Sequence, residues 1–275
     1  MAAAIGSFSD YHETPAYGPQ ARSRVASFGK VPEITFGFWI IKIAATTLGE
    51  TGGDAVTMSL HAGYLVGTLV FAAIFALAVS VQISATRFHP FLYWAAVIAS
   101  TTVGTTLADF ADRSLGIGYV GGSFILLLAV IASLLVWRRT LGSVSVQTVT
   151  NPKVEMFYWV TILFSQTLGT ALGDFAADSG GLGYSGGALV FGVVLAITAL
   201  LYYATDISRV ILFWTAFIMT RPLGATVGDF LDKPVSHGGL ALNRFSASAV
   251  LLVFIVACIL VIPQRAADHP AANKS

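Results

Sequence analysis

Four aspartates, Asp54, Asp109, Asp174 and Asp229, each stand fifteen residues after a tryptophan (Trp39, Trp94, Trp159, Trp214), inside apolar sequence. A glycine stands ten residues after each of those tryptophans: Gly49, Gly104, Gly169 and Gly224. An ionisable side chain in a membrane segment is costly and by default marks a function. Steps of four keep residues on one helix face. Counting back so from each Asp gives Asp54-Glu50-Thr46-Lys42, Asp109-Thr105-Thr101-Val97, Asp174-Thr170-Gln166-Ile162 and Asp229-Ala225-Arg221-Phe217. Lipid cannot hydrogen-bond these stripes, so they must face the bundle interior or water. Carboxylate, hydroxyl and amide oxygens suit hard cations of the Mg²⁺, Mn²⁺ or Ca²⁺ type. The metal ligands expected are therefore Asp54, Asp109, Asp174, Asp229 and Glu50. Arg221, Thr46, Thr101, Gln166, Thr105 and Thr170 are expected along the pathway below them. The competing reading of any one Asp is a bond to loop amides near a helix end. Four in register favour a ring.

The elements that position these residues follow from composition. Of the 275 residues 56% are hydrophobic and 11% charged, with a mean hydropathy of +0.78, which is the signature of an integral membrane protein rather than a soluble domain. The net charge of +1 carries no partner information, and nothing points to nucleic acid. Eight stretches reach the length of about 20 apolar residues that a spanning helix needs: roughly 33–57, 62–83, 91–111, 118–137, 154–177, 184–204, 208–231 and 244–262. Ten basic residues fall on the side holding both termini, and only Arg113, Lys233 and Arg244 on the other. Positive-inside logic places both termini in the cytoplasm. The tryptophans then lie near the inner interface and the aspartates toward the outer face. Residues 1–30 carry no apolar signal-peptide core and are expected to form a flexible tail, as is 264–275.

Each unit has two helices, the second opening with Gly-Tyr (Gly63-Tyr64, Gly118-Tyr119, Gly183-Tyr184), for which the fourth copy has Gly238-Gly239. Spacings between tryptophans of 55, 65 and 55 put units one and three, like two and four, 120 apart, which indicates a duplicated pair. Internal repeats of this kind dictate the fold. The expected repeats are 31–86, 87–150, 151–205 and 206–263. Two spans per unit make the copies parallel, with the pseudo-symmetry axis along the membrane normal. This pattern over residues 33–262 resembles a family of bacterial integral membrane proteins built from four tandem two-helix repeats, catalogued as a repeat of unknown function. The resemblance implies an all-α, eight-helix protein of a bacterial cytoplasmic membrane, and no activity.

Further residues qualify the stripes. Gly49/Gly53, Gly104/Ala108, Gly169/Gly173 and Gly224/Gly228 have the small-xxx-small spacing of close helix contacts. Asp112, Asp178 and Asp232 lie at helix–loop junctions, where solvation is cheap. Glu50 and Arg221 are deep, about 16 and 10 Å above their tryptophans at 1.5 Å per residue. They are expected to approach each other or another stripe residue, as a structural ion pair or a gate. Lys42 is expected to snorkel to the inner interface. His61 and His237 lie in outer loops near the acids, Cys258 is a packing residue, and an isolated Met58 without thiolates argues against a copper path.

Three functions remain open. The first is a cation transporter or channel, divalent ions slightly preferred and protons coupled, with the bilayer and the cation as its partners. The second is a transporter of a small organic solute or anion held by Arg221. The third is a non-transporting scaffold or sensor. An enzyme has the least support, because no nucleophile elbow, zinc-ligand helix or phosphate loop is present; no cofactor is expected, and oligomeric state is not encoded legibly. On the first reading, Asp109→Asn and Asp174→Asn reduce cation flux in liposomes; on the second, Arg221→Gln abolishes uptake while the Asp→Asn variants survive.

Overall fold

Long apolar runs without strand alternation fold as helices, and their ends are set by local chemistry. The computed structural model describes residues 29–146, 149 and 151–267, and among these the chain forms eight α-helices. They are α1 (Phe36–Asp54), α2 (Tyr64–Ser84), α3 (Pro90–Asp109), α4 (Gly118–Leu141), α5 (Pro152–Asp174), α6 (Gly183–Ala204), α7 (Arg209–Asp232) and α8 (Arg244–Val261). Thr35, Asn151 and Asn243 accept hydrogen bonds from first-turn amides of α1, α5 and α8, as N-caps do. Pro90 and Pro152 open α3 and α5 at a position that needs no N–H donor. The Gly of each Gly-Tyr opening has a positive φ, 77° at Gly63, 74° at Gly118 and 65° at Gly183, a conformation that residues with a Cβ adopt only with strain.

Six of the helices, α2, α3, α4, α6, α7 and α8, are long and apolar enough to cross a membrane. The other two, α1 and α5, carry three charged residues each: Lys42, Glu50 and Asp54, and Lys153, Glu155 and Asp174.

The first helices of the four units, α1, α3, α5 and α7, form a closed ring in chain order: α1 on α3, α3 on α5, α5 on α7, and α7 back on α1. Every second helix then covers the first helix of the next unit: α2 lies on α3, α4 on α5, α6 on α7, and α8 returns to α1. Large apolar side chains stay exposed along the second helices, among them Leu69, Leu77, Phe124, Leu189, Leu200 and Val253. Such a coat is a surface for lipid, and the protein is a multi-span membrane protein.

Ring contacts repeat cyclically. Gly49 abuts Thr101, Gly104 abuts Gln166, Gly169 abuts Arg221 and Gly224 abuts Thr46, so each glycine meets the residue seven after the next unit's tryptophan. One turn on, Gly53 meets Thr105, Gly173 meets Ala225 and Gly228 meets Glu50. The hydroxyls of Thr101 and Thr46 reach across these contacts to the carbonyls of Ala45 and Thr220, both at 3.2 Å.

At the tryptophan end, the residue before each Trp is aromatic. Phe38 packs on Trp94, Tyr93 on Trp159, Tyr158 on Trp214 and Phe213 on Trp39, each also touching its own Trp. The eight rings form a closed circuit with centroid separations of 5.1–6.4 Å. Trp94, Trp159 and Trp214 are buried in it; they pack the bundle rather than anchor it to headgroups. Of the two expected tails, residues 1–28 and 268–275 lie outside the described residues. Residues 29–33 and 265–267 pair beneath the aromatic circuit: Glu33 N donates to Arg265 O at 2.9 Å, Ala267 N to Val31 O at 2.9 Å and Gly29 N to Ala267 O at 3.2 Å.

Glycine contacts of this kind are sensitive to one methyl group. A Cβ at residue 224 would collide with the Thr46 side chain and sit 2.8 Å from its carbonyl carbon, whereas one at Gly192, in α6, would meet nothing within 4 Å. Gly224→Ala is expected to destabilise by about 1–3 kcal/mol and Gly192→Ala to be neutral or stabilising, as measured by thermal unfolding in detergent.

Candidate functional site

Because the ring brings four polar stripes to one axis, their side chains meet in layers. The layer seven after each Trp holds Thr46, Thr101, Gln166 and Arg221; the next holds Glu50, Thr105 and Thr170, with Ala225; the outermost holds the four aspartates. All of these are buried.

Arg221 is fully buried and extends from α7 across the axis. Its Nη2 lies 2.9 Å from Glu50 Oε2, 2.5 Å from Thr105 Oγ1 and 2.6 Å from Thr170 Oγ1, and its Nη1 donates to Thr46 O at 3.2 Å. One guanidinium thus ties α7 to α1, α3 and α5, and the expected approach of Glu50 and Arg221 is present. Among the described residues Gln166, on the same level, has no hydrogen-bond partner on either amide atom, and Arg221 Nε has none.

The aspartate layer is divided in two. Lys233 Nζ lies 2.5 Å from Asp54 Oδ2 and 3.1 Å from Asp229 Oδ1. Arg113 lies 2.8 Å from Asp109 Oδ1 and 3.8 Å from Asp174 Oδ2. Arg244, at the start of α8, pairs with Asp232 at 3.2 Å and stands 3.9 Å from Asp54. The four acids therefore face inward together, but as two acid–cation–acid clamps rather than a bare ring. Burial works to lower the pKa of Lys233, yet Asp229, Asp54 and Asp232 outweigh it and hold the pKa well above the ordinary lysine value.

Glu50, Asp54 and Asp229 each present a carboxylate oxygen within 4.8 Å of the other two, and Asp54 Oδ1 is buried without a hydrogen-bond partner. Three oxygen donors at that spacing can hold a hard cation. Asp109 and Asp174 are not part of this trio.

Other expectations fare differently. Lys42 does not snorkel: it is fully buried, with Nζ 4.2 Å from the centre of the Phe217 ring and no hydrogen-bond partner among the described residues. A short step to an aromatic face on the neighbouring helix α7 replaces the longer reach to headgroups. Of the junction acids, Asp178 is exposed, but Asp112 and Asp232 are buried, and both Asp112 oxygens lack hydrogen-bond partners. Asp112 faces Gly122, where a side chain would collide with its carboxylate. His61 and His237 are exposed and stand apart from the acid trio.

Two sets of residues escaped the sequence reading. Arg113 and Lys233 were legible only as outer charges, although each stands four residues after a repeat aspartate, one helical turn, and they are 120 apart like their units. The aromatic residues Phe38, Tyr93, Tyr158 and Phe213 precede all four tryptophans, a second register signal that the tryptophans overshadowed.

Fold and site together define a multi-span membrane protein of tandem two-helix units with a buried acidic cluster on its axis. Residues 37–88, 92–143, 157–208 and 212–263 match the family described as Repeat of Unknown Function (DUF347), and the chain belongs to that family. No curated protein and no solved structure matches it.

Removing one member of the buried pair leaves the other uncompensated. Arg221→Met is expected to cost about 3–5 kcal/mol, and Glu50→Gln combined with Arg221→Met to recover part of that loss, as read by a double-mutant cycle of unfolding free energies in detergent.

Proposed function

We propose that this protein moves cations across its membrane, a divalent ion of the Mn/Mg/Ca type being the preferred substrate and proton coupling accompanying it. The observation that carries the reading is the trio Glu50, Asp54 and Asp229, three buried carboxylates from α1 and α7 with oxygens mutually within 4.8 Å. In this reading all eight helices span the bilayer of a bacterial cytoplasmic membrane. The four units are parallel about its normal, and both termini are cytoplasmic. No catalytic chemistry is ascribed to the chain. The ion enters at the aspartate layer and passes down the axis. Below it stand the Arg221 tie and, lower, the Lys42–Phe217 level and the aromatic circuit, so the described conformation is a closed one. Arg221 acts as the gate, because release of its contacts to Glu50, Thr105 and Thr170 separates all four first helices at once. Thr46 and Thr101 line the wall with their hydroxyls turned to backbone carbonyls, and Gln166 offers the free amide. Asp109 and Asp174, held by Arg113, serve as an outer attracting charge.

A second reading, a non-transporting scaffold, is supported by Lys233 and Arg113, which already neutralise much of the aspartate layer. The solute reading has weaker support, since the Arg221 nitrogens Nη1 and Nη2 are engaged by protein.

Flux of Mn²⁺, Mg²⁺ and Ca²⁺ into proteoliposomes tests the proposal. Asp54→Asn and Asp229→Asn are each expected to reduce divalent flux by more than about tenfold, through loss of a charged ligand. Asp109→Asn has a smaller effect. Unchanged flux in the first two variants removes the trio from the path, and absence of any flux in the wild-type protein favours the scaffold.

A further inference from the structure

We propose that Lys233 is a resident cation of the Glu50–Asp54–Asp229 site: its ammonium occupies the place of the divalent substrate, and a soluble ion enters only by displacing it. This rests on the cation reading above and specifies the selectivity of the same site.

Geometry carries the inference. Lys233 Nζ stands 2.5 Å from Asp54 Oδ2, 3.1 Å from Asp229 Oδ1 and 3.9 Å from Met58 Sδ. The first separation lies within the range of about 2.3–2.6 Å that carboxylate oxygens keep from Ca²⁺, and the second is that of an ordinary charge-assisted hydrogen bond. Asp54 is wholly buried, and its Oδ1 has no hydrogen-bond partner among the described residues, so the site retains ligand capacity that the ammonium does not use. The backbone of Lys233 is fixed. Its N–H donates to Asp229 O at 2.9 Å, its carbonyl accepts from Ala241 N at 2.9 Å, and Gly239 packs against that carbonyl with no room for a side chain. Only the four-carbon stem is left to swing, which is the movement a displaceable ligand needs.

Charge decides the class of ion. Four carboxylates, Glu50, Asp54, Asp229 and Asp232, face three cations, Lys233, Arg221 and Arg244, which leaves one formal negative charge uncompensated. A divalent ion in place of the ammonium cancels it; a monovalent ion gains nothing over the lysine it must expel. The tethered ammonium also has a high effective concentration, which a dilute monovalent ion does not match. Arg113, 120 residues earlier, makes the corresponding contact with Asp109 and Asp174. Among the described residues no third carboxylate joins Asp109 and Asp174 in such a group, so the second clamp is not a second copy of the site.

Calorimetric titration of the full chain in detergent with MnCl₂ tests this. Lys233→Met is expected to bind Mn²⁺ on the order of 100-fold more tightly than the wild type, by release of a buried charge–charge contact. Lys233→Arg is expected to remain weak, and Asp54→Asn in the Lys233→Met background to lose the gain. On the wild-type protein, which removes any question of folding, saturating Mn²⁺ is expected to speed acylation of the Lys233 amine by a soluble ester reagent, read by peptide mass. If the wild type binds Mn²⁺ but Lys233→Met binds no more tightly, or if Mn²⁺ slows acylation of Lys233, the resident-cation inference is overturned and the cation reading stands. If neither protein binds Mn²⁺, Mg²⁺ or Ca²⁺, both fall.

Discussion

The distance of closest approach between neighbouring first helices governs the rest of this structure. Glycine at the tenth residue after each Trp lets the next helix bring its seventh residue against bare backbone. Four such contacts close the ring tightly enough for side chains on one helix to bond the others directly. In a bilayer the hydrophobic effect supplies no force between helices, so packing and interhelical hydrogen bonds must do the work. The glycines provide the first. They permit the second, because Thr46, Thr101 and Arg221 reach their partners only across a glycine-width gap. Polar stripes that would be prohibitive on isolated helices thereby become the adhesive of the bundle.

On this symmetric frame the chemistry is asymmetric. Glycine contacts, aromatic packing and the aspartates repeat four times with little variation, whereas the polar layers beneath the aspartates vary from unit to unit. Arg221 replaces the threonine or glutamine of its layer, Glu50 the threonine or alanine of the next, and Lys42 the apolar residue of the lowest. The two unusual cations and the unusual acid belong to α1 and α7, which are neighbours in the ring. Charge is thus concentrated at one interface of four, and the acid trio lies there too. The opposite side carries only the Arg113 clamp.

Much of this was legible in the chain. Trp39, Gly49 and Asp54 with their three sets of counterparts announce the four repeats and the inward direction of the acids, because an apolar solvent leaves a repeated carboxylate nowhere else to go. The meeting of Glu50 and Arg221 followed from the same cost. What could not be read was the direction of side chains with more than one way to be satisfied. Lys42 had a plausible route to headgroups and took an aromatic face instead. Asp112 and Asp232 had a plausible place in water and are covered. Lys233 and Arg113 looked like orientation signals, and their second role depends on how the loop after α7 and the turn after α3 fold back over the axis. Pairings set by tertiary closure leave no period in a sequence.

Covering each first helix with the second helix of the preceding unit gives the architecture no natural beginning or end, since α8 lies on α1 as α2 lies on α3, with Gly29 and Ala267 joined at the seam. Biosynthesis nevertheless starts somewhere. Of the eight described helices α1, which carries Lys42, Glu50 and Asp54, is made before the others, and two of its three main neighbours, α7 and α8, follow all the rest. A helix with three charged residues must wait for α7 and the loop after it before its charges find Phe217, Arg221 and Lys233, so the elements made last complete the surroundings of α1.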